Sequence, residues 1–144
     1  MWRERSNFII AARIPNGGEI ETEQLWARQV APRQFEICCI PFFVYDLALG
    51  DAVETDDEYI IKRVIAPSGR YVFRVWFKQS DDQLKVELVE RLGELGADIE
   101  WSSLAWLRST LPTLGELSTL PTTWRSWNRA VEWSTRPAGL DETP

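Results

Sequence analysis

Apolar and polar positions alternate along the first half of the chain, and the period changes once, near residue 80. "NFIIAARIP" from Asn7 is β-branched and aromatic, and the Pro15-Asn16-Gly17-Gly18 that follows is a turn signal. A second strand is predicted from about Glu21 to Val30, with Leu25 and Ala27 on one face, Trp26 and Arg28 on the other, and Pro32 closing it. "QFEICCI" reads as a third strand, "DAVET" opens a fourth, and "EYIIKRVIA" carries a fifth up to the tight turn Pro67-Ser68-Gly69. In the sixth, "RYVFRVWFK", Tyr71, Phe73, Val75 and Phe77 face one way and Val72, Arg74 and Trp76 the other. Both rows are bulky, so this strand is expected to lie centrally, covered on two sides.

At Ser80 the period lengthens to that of a helix. "SDDQ" has the form of a capping box, with Ser80 as N-cap and Gln83 three residues on; Asp81 and Asp82 suit the positive end of the helix dipole. Leu84, Leu88, Val89, Leu92 and Leu95 share one helical face, and Gly96 is placed for a left-handed C-cap. "ADIEWSS" and "LAWLRSTLP" then read as extended, "TLGEL" as a short helix, and the stretch from Pro121 as a further helix with Trp124, Trp127 and Val131 on one face. Trp124, Trp127 and Trp133 cannot all face one way on such a helix. The tail is polar and Pro-rich and is expected to fray.

The order predicts an α+β protein: an N-terminal antiparallel β-meander or small barrel, then a ferredoxin-like β-α-β-β-α half. We expect one domain over residues 1–136, with a β-rich half at 7–69, a plait-like half at 70–134 and a flexible tail at 135–144. A length of 144 residues agrees, since a core needs more than about 70–80 residues to stand without staples. Apolar residues make up 44% and charged residues 26%, ordinary values for a folded chain.

Composition narrows the chemistry. Histidine is absent, which removes the commonest general base and the commonest zinc ligand; no metal or cofactor is expected. A net charge of −6 disfavours nucleic acid and suits a basic partner protein. No apolar run approaches the roughly 18 residues of a membrane span, and the N-terminus has no signal-peptide pattern, so a cytoplasmic location without membrane contact is expected. Cys38 and Cys39 are sequence neighbours and read as two buried thiols.

Chemistry-bearing clusters are few. "CCIPFFVYDLALGDAVE", Cys38 to Glu54, reads as scaffolding in which Phe42, Phe43 and Tyr45 cover an apolar surface, Gly50 turns the chain and Asp51 accepts from backbone N–H groups. Asp56-Asp57-Glu58 and Asp81-Asp82 are acids at a turn and a helix start. Ser68 has no histidine partner, and neither Lys62 nor Lys85 is an evident base for it.

"LWARQV" at Leu25 to Val30, "IPFFVYDLALGDAVE" at Ile40 to Glu54 and "RVIAPSGRYVFRVWF" at Arg63 to Phe77 resemble the bacterial family called domain of unknown function 4265. The resemblance covers the middle half of the chain and implies a compact bacterial domain without implying a reaction. Members of that family often have Ser-Gly-His after the fifth strand, then Thr two residues on and Arg two beyond. Here Ser68, Gly69 and Arg74 match, whereas Arg70 and Val72 replace the polar pair, a departure that favours binding over catalysis.

Two functional expectations follow. The first is a non-enzymatic protein-binding module, an immunity protein or antitoxin, with Asp56, Asp57, Glu58, Trp124, Trp127 and Trp133 as partner-binding residues against a basic toxin. The second is a small-molecule site or enzyme with an anion pocket formed by Asp51, Ser68, Gly69 and Arg74.

Overall fold

Inward and outward rows separate along the longest strand, Thr22–Ala31, where Glu23, Leu25 and Ala27 are buried and Thr22, Gln24 and Trp26 are exposed. A one-residue slip would exchange those rows, so burial of one face fixes the register. The computed structural model describes residues 2–15, 18–19, 21–78, 81–103, 105–111 and 131–137. In it β1 (Phe8–Arg13), β2 (Thr22–Ala31), β3 (Gln34–Ile37), β4 (Ala52–Thr55) and β5 (Ile61–Ala66) form an antiparallel meander in sequence order. The meander curls: Ala11 donates to the Tyr59 carbonyl at 2.9 Å, and a parallel bridge joins Ala11 to Ile60. Its core is built from Ile10, Leu25, Phe35, Ile37 and Val53.

The second sheet holds β6 (Tyr71–Phe77), β7 (Asp98–Ser103), β8 (Trp106–Leu111) and β9 (Val131–Pro137), in the order β7-β8-β6-β9, with every neighbouring pair antiparallel. One helix, α1 (Asp82–Glu94), joins β6 to β7. Leu88 and Leu92 of α1 are buried against Val75, Phe77 and Leu107. Burial stabilises each such side chain by about 1.5–3 kcal/mol relative to exposure. The result is an α+β fold with an N-terminal meander. Both rows of β6 are covered: Phe73, Val75 and Phe77 are buried on the α1 side, and Val72 and Arg74 are buried on the other.

The helix cap differs from the capping box expected at Ser80. Asp81 is the N-cap, and its Oδ1 accepts from the Leu84 N–H at 3.0 Å. A carboxylate one residue later does the same work as the serine hydroxyl and also faces the helix dipole. At the other end Gly96 has φ +71°, Ala97 N–H bonds the Leu92 carbonyl, and Gly96 N–H bonds the Gly93 carbonyl, closing the helix as a Schellman motif.

The C-terminal region needs two corrections. Val131 and Trp133, expected on a helix that starts at Pro121, lie instead on strand β9; the tail expected from residue 135 begins inside that strand, with Thr135, Arg136 and Pro137 opposite Phe73, Val72 and Tyr71. Pairing along the whole of β6 outweighs the local helical spacing and the polar composition. "TLGEL", Trp124 and Trp127 lie outside the described residues. No helix among the described residues is long and apolar enough to cross a membrane.

Candidate functional site

The segment between β3 and β4 has no ladder to satisfy its backbone, yet Cys38 to Phe42, Val44 and Leu47 to Leu49 are buried. Buried amides and carbonyls must find partners. Glu23 supplies one set. Standing in the inward row of β2, its carboxylate accepts from the N–H groups of Phe42 at 2.6 Å, Phe43 at 2.8 Å and Val44 at 3.1 Å. Arg74 supplies the other, reaching across from β6. Its Nε donates to the Phe42 carbonyl at 2.6 Å, and its Nη2 donates to the carbonyls of Pro41 at 3.1 Å and Val44 at 2.7 Å. A carboxylate thus holds the donors and a guanidinium the acceptors of one short stretch, bridging the two sheets.

A second pair lies behind the first. Register sets Arg74, Arg108 and Glu100 side by side on adjacent strands. Two arginines directly opposite would repel, and carboxylates offset this. Arg108 Nε lies 2.9 Å from Glu100 Oε2 without aiming its N–H at that oxygen, Arg108 Nη1 lies 3.7 Å from Glu23 Oε1, and Glu100 Oε2 accepts from the Ile40 N–H at 3.2 Å. Arg74 Nη1, Glu100 Oε1 and Thr110 Oγ1 are buried with no hydrogen-bond partner among the described residues. Burial lowers the Arg74 pKa from its ordinary value, an effect opposed by the nearby Tyr45 and Glu23.

The clamped stretch carries aromatic rings outward as well as inward. Phe42 is buried with the Arg108 guanidinium 5.0 Å from its ring, whereas Phe43 is 46% and Tyr45 40% exposed, with Arg74 stacked 4.2 Å beneath Tyr45. Phe42 contacts Phe43 at 5.0 Å and Trp106 at 4.9 Å, and Trp106 meets Trp76 edge-on at 4.7 Å. Four rings therefore run in series from the loop onto β8 and β6, with Trp76 39% exposed at the far end.

The expected pocket residues do not converge on a hollow. Asp51 is buried, and its carboxylate accepts from Ala48 N–H at 2.9 Å and Ser68 N–H at 2.7 Å, so it ties the turn before β4 to the turn after β5. Burial raises its pKa despite those two bonds. Ser68 Oγ accepts from the Arg70 N–H, Gly69 is exposed with φ +76°, and Arg74 grips the loop instead. Surface grooves among the described residues lie elsewhere, one of about 480 Å³ beside Trp101 and Lys85 and another of about 530 Å³ beside Ile9 and Trp26.

The acidic triplet is also employed by its own turn. Asp56 Oδ1 accepts from the N–H groups of Glu58 and Ile60, and Asp57 pairs with Arg33; Glu58 is exposed. Of the three tryptophans expected at a partner surface, Trp133 lies on β9, and Trp124 and Trp127 lie outside the described residues. Cys38 and Cys39 are free buried thiols, and burial pushes the Cys39 pKa up to about 12. Sequence reasoning missed Glu23, Glu100 and Arg108. The available signal was Glu23 standing in phase with Leu25 and Ala27 on the inward row.

No curated protein matches the chain. Among solved structures, it is similar to the crystal structure of a hypothetical protein from Neisseria gonorrhoeae, with a TM-score of 0.73 over 88% of this chain and 91% of that one. At 18% identity that likeness shows a shared fold alone. The sequence model of one family, described as a domain of unknown function, matches residues 23–127, a span that takes in Glu23, the clamped loop, Arg74, Glu100 and Arg108. The chain belongs to that family, DUF4265.

Proposed function

We propose that the chain is a non-enzymatic protein-binding module, an immunity protein or antitoxin that neutralises a basic toxin by steric and electrostatic blocking. The observation that carries this reading is that Asp51 and Arg74, the charged groups proposed for a pocket, are bound to backbone groups of the fold, while large rings stand exposed beside them. A net charge of −6 favours and orients approach by a positively charged protein. The C-terminal half completes a ferredoxin-like plait in this reading, supported by the order β7-β8-β6-β9, in which β8 separates the two strands joined through α1.

The test is affinity purification on the immobilised chain from the host that encodes it. A basic protein should be retained at one-to-one stoichiometry, and adding the purified chain should block that protein's activity. Retention of no stoichiometric partner would end this reading.

A second reading, an anion-binding pocket, draws on Arg74 Nη1 and Thr110 Oγ1, which have no hydrogen-bond partner among the described residues. Both atoms are sealed from solvent. For an anion to reach them the loop has to lift, breaking the three bonds from Glu23 and the three from Arg74. We therefore rank this reading second.

A further inference from the structure

Most of the segment from Cys38 to Leu49 is buried scaffold, but its exposed rings are not distributed at random. Phe43 and Tyr45 flank the buried Val44, and the backbone around them is fixed from both sides by Glu23 and Arg74. A loop held in this way presents its side chains with little further ordering cost on binding, which is the condition under which exposed aromatics contribute most to affinity. The rings continue without a gap through Phe42 and Trp106 to Trp76 on β6.

We propose that this run, with Phe43 and Trp76 as its exposed ends, is the surface on which the partner docks, and that the partner presents an apolar side chain surrounded by Lys and Arg. The proposal rests on the binding role argued above and adds the place and the chemistry. The apolar centre follows from the rings. Arg74 and Arg108 lie against Tyr45 and the buried Phe42, and the exposed ends Phe43 and Trp76 bring only ring surface, so the contact offered to a partner is apolar or aromatic. The basic rim follows from charge. Arg108 lies against the carboxylates of both Glu23 and Glu100, so two carboxylates stand behind the rings with two guanidiniums and leave no net positive charge there, and the chain's overall −6 favours a positively charged partner. Docking here leaves Asp56, Asp57 and Glu58 to their own turn.

A library of twelve-residue peptides displayed on phage, selected on the immobilised full chain, supplies a probe independent of any natural partner. Enriched peptides should combine Lys or Arg with an aromatic or aliphatic residue. As synthetic peptides followed by fluorescence titration, they should lose at least ~10-fold in affinity for both Phe43→Ser and Trp76→Ser. Trp101→Ser, an equally exposed tryptophan on the opposite face of the second sheet, should bind them as the unaltered chain does. Thermal unfolding of each variant checks that binding is not lost through unfolding. Selection of no peptide, or of peptides that bind the Phe43 and Trp76 variants undiminished, overturns the proposal while leaving the search for a host partner to decide the binding role. If a basic partner is found in the host and also ignores both variants, the role stands and this surface does not.

Discussion

The two faces of the second sheet are covered by different kinds of chain, and their compositions differ accordingly. On one face lies α1, whose backbone groups are satisfied within the helix, and the strands beneath it present Val75, Phe77 and Leu107. On the other lies the irregular segment 40–49, whose amides and carbonyls have no ladder. There the strands present Arg74, Arg108 and Glu100, with Glu23 meeting them from the first sheet. A helix can be received by an apolar surface because it brings no hydrogen-bonding debt; a buried loop needs a surface able to donate and accept. Charged residues on the inward row of β6 and β8 are thus the counterpart of the loop and no flaw in the core.

The comparison is open to direct attack, beginning with its polar side. Arg74→Ala strips partners from the buried carbonyls of Pro41, Phe42 and Val44 and removes a positive charge near Glu23, so it should cost about 3–5 kcal/mol in urea unfolding. Arg74→Lys should recover only part of this, because an ammonium lacks the planar fork that spans three carbonyls. A loss below about 1 kcal/mol for Arg74→Ala would mean that the loop does not need the polar face.

On the apolar side, Leu88→Ala should cost about 3 kcal/mol by loss of transfer energy and creation of a cavity. It should leave the near-ultraviolet circular dichroism of the Trp76–Trp106 pair unchanged, whereas Arg74→Ala should alter it. Equal spectral effects would erase the distinction between the two faces.

A third test concerns the junction between the sheets. Gly50 has φ +86°, and a Cβ there would lie 3.1 Å from the Trp2 ring and 3.2 Å from Ser68; Gly69 has φ +76° in open space. Alanine at Gly69 should cost about 1–2 kcal/mol for the left-handed backbone alone. At Gly50 it should cost more, since the ring must also shift.

The smallest effect is electrostatic and lies on the first sheet. The hydrogen bond and charge of Arg63 hold the Glu54 carboxyl below its ordinary 4.5. A depressed folded-state value means that the contribution is present above the unfolded value and is lost as pH falls through the folded one. The unfolding midpoints of the unaltered chain and Glu54→Gln should therefore differ near neutral pH and converge as pH falls below the ordinary carboxylate range, by a margin far smaller than for Arg74 because the pair is exposed.

Local pattern was enough where an element's own period sorts its residues into faces. The two rows of β6 and the apolar stripe and Gly96 stop of α1 could be read directly, because strand and helix periods are properties of the chain itself. Residues from Val131 could not, since spacings of three and four near Trp127 suggest a helix and only pairing with distant β6 selects a strand. The site was harder. Asp51 in a Gly-Asp turn announces a backbone acceptor, but Glu23 lies some twenty residues from the amides it binds, and Arg74 some thirty from its carbonyls. Neither spacing leaves a local trace beyond a charged letter on an inward row.

The six bonds that Glu23 and Arg74 make to the loop all end on main-chain atoms. The side chains at positions 43 and 45 make none of those six bonds, although Phe43 packs on Phe42 and Tyr45 over Arg74, so exchanging them leaves the six bonds in place. Under the docking proposed above, such a frame would separate what is recognised from what is folded, so that outward rings could be exchanged without rebuilding the loop.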